Sequence, residues 1–385
     1  MTDFVESFTT QQLLPPWYSR GAKTWMFLIK ANKKLMQDYL DEHFNDPGPD
    51  VAPYYYEPWS DPCFGFLQFV DHVNFSSEHA RPDLAPGVPL DDTFDPLDDH
   101  QHWDTLQHRE VFFTFPAARY RRTSDNLLID KKLVWIQPFF FDTSSYVMFS
   151  SREIWGSEKE MAMIDIEYGD TRNQLHIDVS IDGFKKFDPH SISKRIGVMH
   201  LRMDQTSEQT LLGTMKDKSP RISDIIDSLK GYLPDAWLDA TEDKKLHLPT
   251  FKINTLKQYR DVFNMHDAAY RAIIASEAAH SDITDLSVFH GERVDVQFLW
   301  SDSMKETFET LFNLKPPKED AKKGIDGSGT AVVPGGIDWD MPAVKLDIEL
   351  GVFFTSNAHF DVLGTLFTYG GGPQYPPPDG KNPEC

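Results

Sequence analysis

From Val111 onward the chain is written in short runs of β-branched and aromatic residues separated by polar turns, and no other feature limits its fold as much. Val111 to Phe115, Leu133 to Phe140 and Ser145 to Ser150 are the first such runs, and each fits a strand. Met161 to Tyr168 and Leu175 to Ile181 alternate apolar with polar residues around the turn-forming 169–173 segment. They are expected to form an antiparallel pair with one wet face. Phe251 to Ile253, Tyr270 to Ala275, Ile283 to Val288, Val294 to Leu299 and Val344 to Phe354 continue the strand text. Helical segments do not alternate with these runs, so the expected architecture is mainly β, a closed or sandwiched sheet rather than βαβ units.

Two stretches carry helical spacing. Lys33 to Phe44 places Leu35, Met36, Tyr39, Leu40 and Phe44 on one face, directly after the strand-like run Thr24 to Ala31. Around Ile222, Ile225, Ile226 and Leu229 a second helix is expected inside a polar segment, 186–249. Residues 45–62 and 81–104, rich in Asp and Pro, read as surface loops. The Lys- and Gly-rich 315–336 segment reads as a flexible loop, and 370–385 as an extended tail. Strand-dense text on both sides of the helical segment points to one domain over residues 1–385, with additions at about 45–104, 186–249 and 315–336.

Charge and cysteine content narrow the partners. The formal net charge of −22 argues against a phosphate-backbone partner, which needs clustered Lys and Arg. Cys63 and Cys385 are the two cysteines, too few for a disulfide framework or a thiolate metal site. The N-terminus has no basic and apolar leader, and no apolar run approaches the ~20 residues needed to cross a bilayer. A cytoplasmic protein acting on small molecules, with neither nucleic acid nor membrane as partner, is the expectation. A homo-oligomer is compatible with it.

Nucleotide chemistry finds no motif here, since neither a Gly-x-Gly-x-x-Gly turn nor a phosphate loop occurs. No Gly-x-Ser-x-Gly elbow supports a serine hydrolase. Asp98, Asp99, His100, His102 and Asp104, with His108 beyond, offer metal-ligand types, but their spacing favours a solvated loop. His176 and His200 sit in apolar contexts as core or rim residues. No cofactor and no metal is expected.

Ser151 to Glu160, Ser-Arg-Glu-Ile-Trp-Gly-Ser-Glu-Lys-Glu, stands apart, directly after one apolar run and before an alternating one. Arg-Glu-aliphatic followed at this distance by Lys resembles the signature of the acetoacetate decarboxylase family. The likeness continues through the early strand and helix (25–44), the strand and turn entering the motif (140–153), the segment ending Gly183-Phe184-Lys185, the late strands (283–299) and the closing segment (344–360). The resemblance implies that family's double-cone β-barrel around an apolar pocket, enlarged here by helical and loop insertions.

It also implies a role for Lys159, which falls at the position of the lysine that condenses with a ketone. Such an amine attacks a carbonyl, water leaves, and the iminium withdraws electrons from the bond being broken. A free lysine, with pKa about 10.4, is protonated at neutrality; the neighbouring Glu158 and Glu160 would raise that pKa further, whereas burial among side chains such as Trp155, Phe140 and Phe298 would lower it. Where the family has a second lysine this chain has Glu160, the candidate acid or base, and the family's aromatic-Pro dipeptide is Ser157-Glu158.

No Glu occurs between Val111 and Ser151, and the family's catalytic glutamate aligns near Arg119 to Arg122. Arg20 is the nearest counterpart of the arginine that binds the substrate carboxylate. Lys23 is an alternative to it, Arg121 is a second source of the cation an anionic acid requires, and Arg152 either contacts substrate or braces the turn with Glu153. The expected activity is a cofactor-independent Schiff-base lyase, decarboxylase-like, acting on a keto acid or a larger polyketide-like ketone. The alternatives are a non-catalytic small-molecule-binding or accessory protein on the same fold, and an aldolase, dehydratase or cyclase using the same pocket.

Overall fold

The computed structural model describes residues 15–45, 52–77, 106–168, 174–204, 250–260, 268–317 and 337–369. The chain opens with β1 (Trp17–Ala31) and α1 (Lys33–Leu40), followed by a π-helical turn, Asp41–Asn45. Then come β2 (Tyr54–Pro58), β3 (Cys63–Ser77), β4 (Leu106–Arg122) and β5 (Leu128–Asp142). A short helix α2 (Ser145–Ser150) and a second π-helical turn (Ser151–Trp155) lead into β6 (Lys159–Tyr168), β7 (Gln174–Gly183) and β8 (Lys194–Asp204). The remainder is β9 (Phe251–Arg260), β10 (Ala268–His290), β11 (Val294–Leu299), α3 (Lys305–Phe312), β12 (Ala343–Leu346) and β13 (Leu350–Thr368).

The mainly β expectation is what the structure shows. One sheet runs β12-β11-β8-β7-β6-β5-β9-β10-β13-β1-β3-β4-β2, and a further β4–β5 pairing joins two of its inner strands. Seven strands, β5-β9-β10-β13-β1-β3-β4, therefore close a ring, and β6-β7-β8-β11-β12 leaves it as an arm. The branch point is β5. One of its edges is antiparallel to β4, while the other carries β9 in parallel at Trp135 and Ile136 and then β6 in parallel from Phe140 to Asp142.

Both faces of the ring strands are buried, which explains why their apolar text is continuous rather than alternating. Trp25, Phe27 and Ile29 on β1 and Val111, Phe113 and Phe115 on β4 face outward, against the arm and the apolar sides of α1 and α3. Met26, Leu28, Phe66, Trp135, Phe251 and Phe354 face inward and form a second core inside the ring. β6 and β7 each have one wetter face and pair antiparallel as their alternation predicts, Ile164 opposite Val179.

Several expectations are corrected. Ser145–Ser150 is a helix, because the Ser144 hydroxyl accepts from the Val147 N–H and caps a first turn. Residues 54–58 form an edge strand, and Cys63–Ser77, inside the segment expected to be an addition, is ring strand β3 between β1 and β4. β8 likewise occupies part of 186–249. The helix expected around Ile222 to Leu229, the His100 and His102 loop, most of the 315–336 loop and the 370–385 tail lie outside the described residues.

Candidate active site

The inside of the ring holds a cavity of about 80 Å³. Trp17, Phe75, Phe251 and Phe360 are among its apolar walls, and Trp17 stacks on Trp155 with ring centres 5.1 Å apart. Lys159, Glu110 and His72 stand together on its wall, and Gln68 and Thr114 line it four residues further along β3 and β4. At ~10–15 Å³ per water the space accepts a ligand of a few heavy atoms.

Local structure fixes where the Lys159 amine points. The π-helical turn after α2 ends on Gly156 in the left-handed region, φ 71°, where a Cβ would meet the Lys257 Cβ at 2.5 Å. Only glycine lets the turn lie this close to β9. The chain then enters β6 with Lys159 opposite Phe140, and the strand's alternation sends Lys159 inward, leaving it only 4% exposed. Its Nζ sits 4.0 Å from the centre of the Phe140 ring.

Two ring carboxylates meet the amine, and two histidines meet one of them. Glu110 and His108 lie two apart on β4 and share its inner face, and His72 on β3 stands directly opposite His108. Asp142 on β5 is in register with Glu110. Lys159 Nζ donates to Glu110 Oε1 at 2.5 Å and to Asp142 Oδ2 at 3.0 Å. Glu110 also faces His72 Nε2 at 3.2 Å and His108 Nε2 at 3.3 Å, the two imidazoles being stacked.

Burial alone would lower the Lys159 pKa, but Glu110 and Asp142 outweigh it and hold the ammonium above its ordinary range. The lowering expected of burial is thus corrected. Burial works to raise Glu110 as well, yet the Lys159 charge and the hydrogen bonds from His108 and His72 hold its carboxyl well below the usual range. Asp142 goes the other way: burial raises it, and the opposing charge of Lys159 does not cancel that effect. The two carboxylates therefore differ in proton affinity although both touch the same amine.

His72, His108 and Glu110 bring ligand-type atoms within 4.8 Å of one another, so a metal deserves a test on geometry. His72 Nδ1 lies 2.7 Å from the Ser19 hydroxyl, while His108 Nδ1 meets no partner among the described residues. A ring proton on His108 Nδ1 would be buried without an acceptor. We therefore assign the His108 proton to Nε2, where it donates to Glu110 and is not available to ligate. The Lys159 ammonium already supplies the cation, and the residues fit a hydrogen-bonded cradle for Glu110 better than a metal centre.

Of the candidates named from sequence, the structure puts only Lys159 at the cavity. Glu160, the proposed acid or base, points to the opposite face of β6, because neighbours on a strand diverge. It lines a separate, more polar cavity of about 630 Å³ with Arg152, Arg260 and Arg271. Arg152 is exposed, and its Nη1 donates to the Lys159 carbonyl at 3.0 Å, so it braces the turn. Arg121 is exposed and ion-paired with Asp130 at 2.7 Å. Arg20 is half-buried on β1 opposite Asn74 and does not line the cavity. Phe298 belongs to the outer core with Phe308 and Phe312.

Sequence reasoning missed Glu110, His72 and His108 as site residues. The continuous apolar text begins at Val111, whereas β4 starts at Leu106. A polar residue at every second position before an apolar run was the available signal.

Among the described residues, no helix is long and apolar enough to cross a membrane. No family model matches the sequence, and no curated protein does. Among solved structures, the chain is similar to acetoacetate decarboxylase from Legionella pneumophila, at 10% identity over 96% of this chain and 92% of that one, with a TM-score of 0.45. It is also similar to the enduracididine biosynthesis enzyme MppR in complex with pyruvate, at 13% identity over 94% and 92% of the two chains and a TM-score of 0.45.

Proposed function

We propose that this protein is a cofactor-independent enzyme whose Lys159 condenses with the carbonyl group of a small ketone or keto acid. The observation that carries the reading is a buried amine hydrogen-bonded to Glu110 on the wall of a mainly apolar cavity. A lyase step, or an aldol, dehydration or cyclisation step through the same adduct, is the reaction class that follows.

An ammonium held by two carboxylates does not oppose this chemistry overall. Glu110 takes one proton from the ammonium, and the neutral amine forms the new C–N bond. The same proton then returns to the carbinolamine oxygen, which departs as water. The sum is ammonium plus ketone giving iminium plus water, so one positive charge stands beside Glu110 and Asp142 at both ends. The pair of carboxylates slows the start of the reaction and stabilises its product.

Borohydride reduction tests the reading. With acetoacetate or its neutral isostere 4-methylpentan-2-one, intact-mass and peptide analysis is expected to find a reduced adduct on Lys159, absent from Lys159→Met. No adduct with either compound would sink it. A second reading, a binding protein without imine chemistry, is favoured by the same ion pair, which suffices to keep a structural lysine buried. It predicts saturable binding of the ketone without trapping.

A further inference from the structure

This inference rests on the imine reading and concerns what the site then does. We propose that the Lys159 site acts on a neutral carbonyl compound by removing a proton from the carbon next to the iminium, with Glu110 as the base, rather than by releasing carbon dioxide from a keto acid.

The lining supplies the first argument. Among the described residues the cavity has no arginine, and its ionisable side chains are His72, Glu110, Lys159 and His280. Condensation consumes the one lysine. An α- or β-keto acid carries its carboxylate one or two carbons from the reacting carbonyl, so it would stand close to Glu110, itself 2.5 Å from Nζ. The arginines Arg152, Arg260 and Arg271 line the other cavity, out of reach of a carboxylate tied that closely to the carbonyl. Apolar and aromatic side chains form most of the remaining wall, as a neutral ligand requires.

Charge balance supplies the second. If an iminium lost carbon dioxide, the bond pair would discharge the nitrogen and leave a neutral enamine. Glu110 and Asp142, in register on adjacent strands and buried, would then face each other with no cation between them. In proton abstraction, the Glu110 carboxylate takes the α-hydrogen, the C–H electron pair becomes the C=C bond, and the C=N pair moves to nitrogen. Iminium and carboxylate are neutralised together, which a low-dielectric cavity favours. The resulting enamine either takes the proton back or adds to a second carbonyl compound, which enters as co-substrate.

The test follows 4-methylpentan-2-one in D2O by proton NMR beside acetoacetate, in which a carboxylate replaces the isopropyl group. Wild-type protein is expected to exchange the α-hydrogens of the ketone and to release no more carbon dioxide from acetoacetate than Lys159→Met does. Glu110→Gln, which forms the adduct more slowly because its internal base is gone, is expected to show exchange per adduct formed slowed by about 100-fold or more. Acetoacetate decarboxylation faster than ketone exchange would overturn the inference while leaving the imine intact. So would adducts with keto acids alone, or exchange unchanged in a folded Glu110→Gln. Absence of any adduct in the wild type brings down the imine reading itself, and this inference with it.

Discussion

Glu110 and Asp142 face each other in register across β4 and β5, two buried carboxylates with the Lys159 ammonium hydrogen-bonded to both. Neither carboxylate has an arginine partner among its hydrogen bonds at this point, so the lysine is the cation that makes the arrangement tolerable. Structure and proposed chemistry thus depend on the same atom.

Removing that cation is expected to destabilise the fold strongly. Lys159→Met should cost about 3–5 kcal/mol in urea unfolding at pH 7, the range for stranding buried charge. Combining it with Glu110→Gln should recover a large part of the loss. A loss below about 1 kcal/mol for the single variant would show that Lys159 does not neutralise the pair.

The pH dependence of trapping has a defined shape. Glu110 is held below the ordinary carboxylate range and Lys159 above the ordinary ammonium range, so the proton-sharing pair keeps its state between about pH 5 and pH 9. The rate of reduced-adduct formation at saturating ketone should be flat over that window, falling in stronger acid as Glu110 protonates. In Glu110→Gln, with the internal base gone, it should rise steadily with pH. A sigmoid centred near neutrality in the wild type would indicate a lysine with a lowered pKa.

His280 lines the same cavity, and burial pushes its pKa down to about 4. The unfolded chain, with histidine near 6.5, binds the proton first as pH falls. The neutral imidazole's contribution is therefore fully present above about pH 6.5 and is lost as pH drops toward 4, amounting to about 3 kcal/mol. His280→Gln should flatten the stability profile in that window. An NMR titration of the His280 ring near 6.5 would refute the assignment.

Gly156→Ala tests the turn that aims Lys159. The added Cβ meets both a left-handed backbone and the Lys257 backbone Cα at 2.7 Å, so stability should fall by about 2 kcal/mol or more. Trapping on Lys159 should slow as well, because β6 would shift against β9. Unchanged unfolding and trapping would remove the turn from the account.

The parts of the molecule that could be read from its text are those where one physical pattern acts alone. β6 and β7 alternate because one side is wet, and α1 shows its buried Met36, Tyr39 and Leu40 at helical spacing. Lys159 was found through its position after Arg152 and Glu153 rather than through its surroundings. Glu110, His72 and His108 stay unmarked in the sequence because buried polar residues facing a cavity interrupt the apolar pattern that announces a strand. Their partners come from β1, β5 and β6, and no local window holds those strands together. α2 was misread as a strand, since six residues are too few for either periodicity to declare itself.

Because β5 lends one edge to β4 and divides the other between β9 and β6, a cut through the described strands on either side of β5 would break main-chain pairing. Whichever half were expressed alone would present an open row of amide and carbonyl groups where its missing partner belonged, an invitation to aggregate. Melting is accordingly expected as one cooperative event, and any lineage that enlarges or trims this architecture must do so at its loops and outer rim, leaving the shared strand untouched.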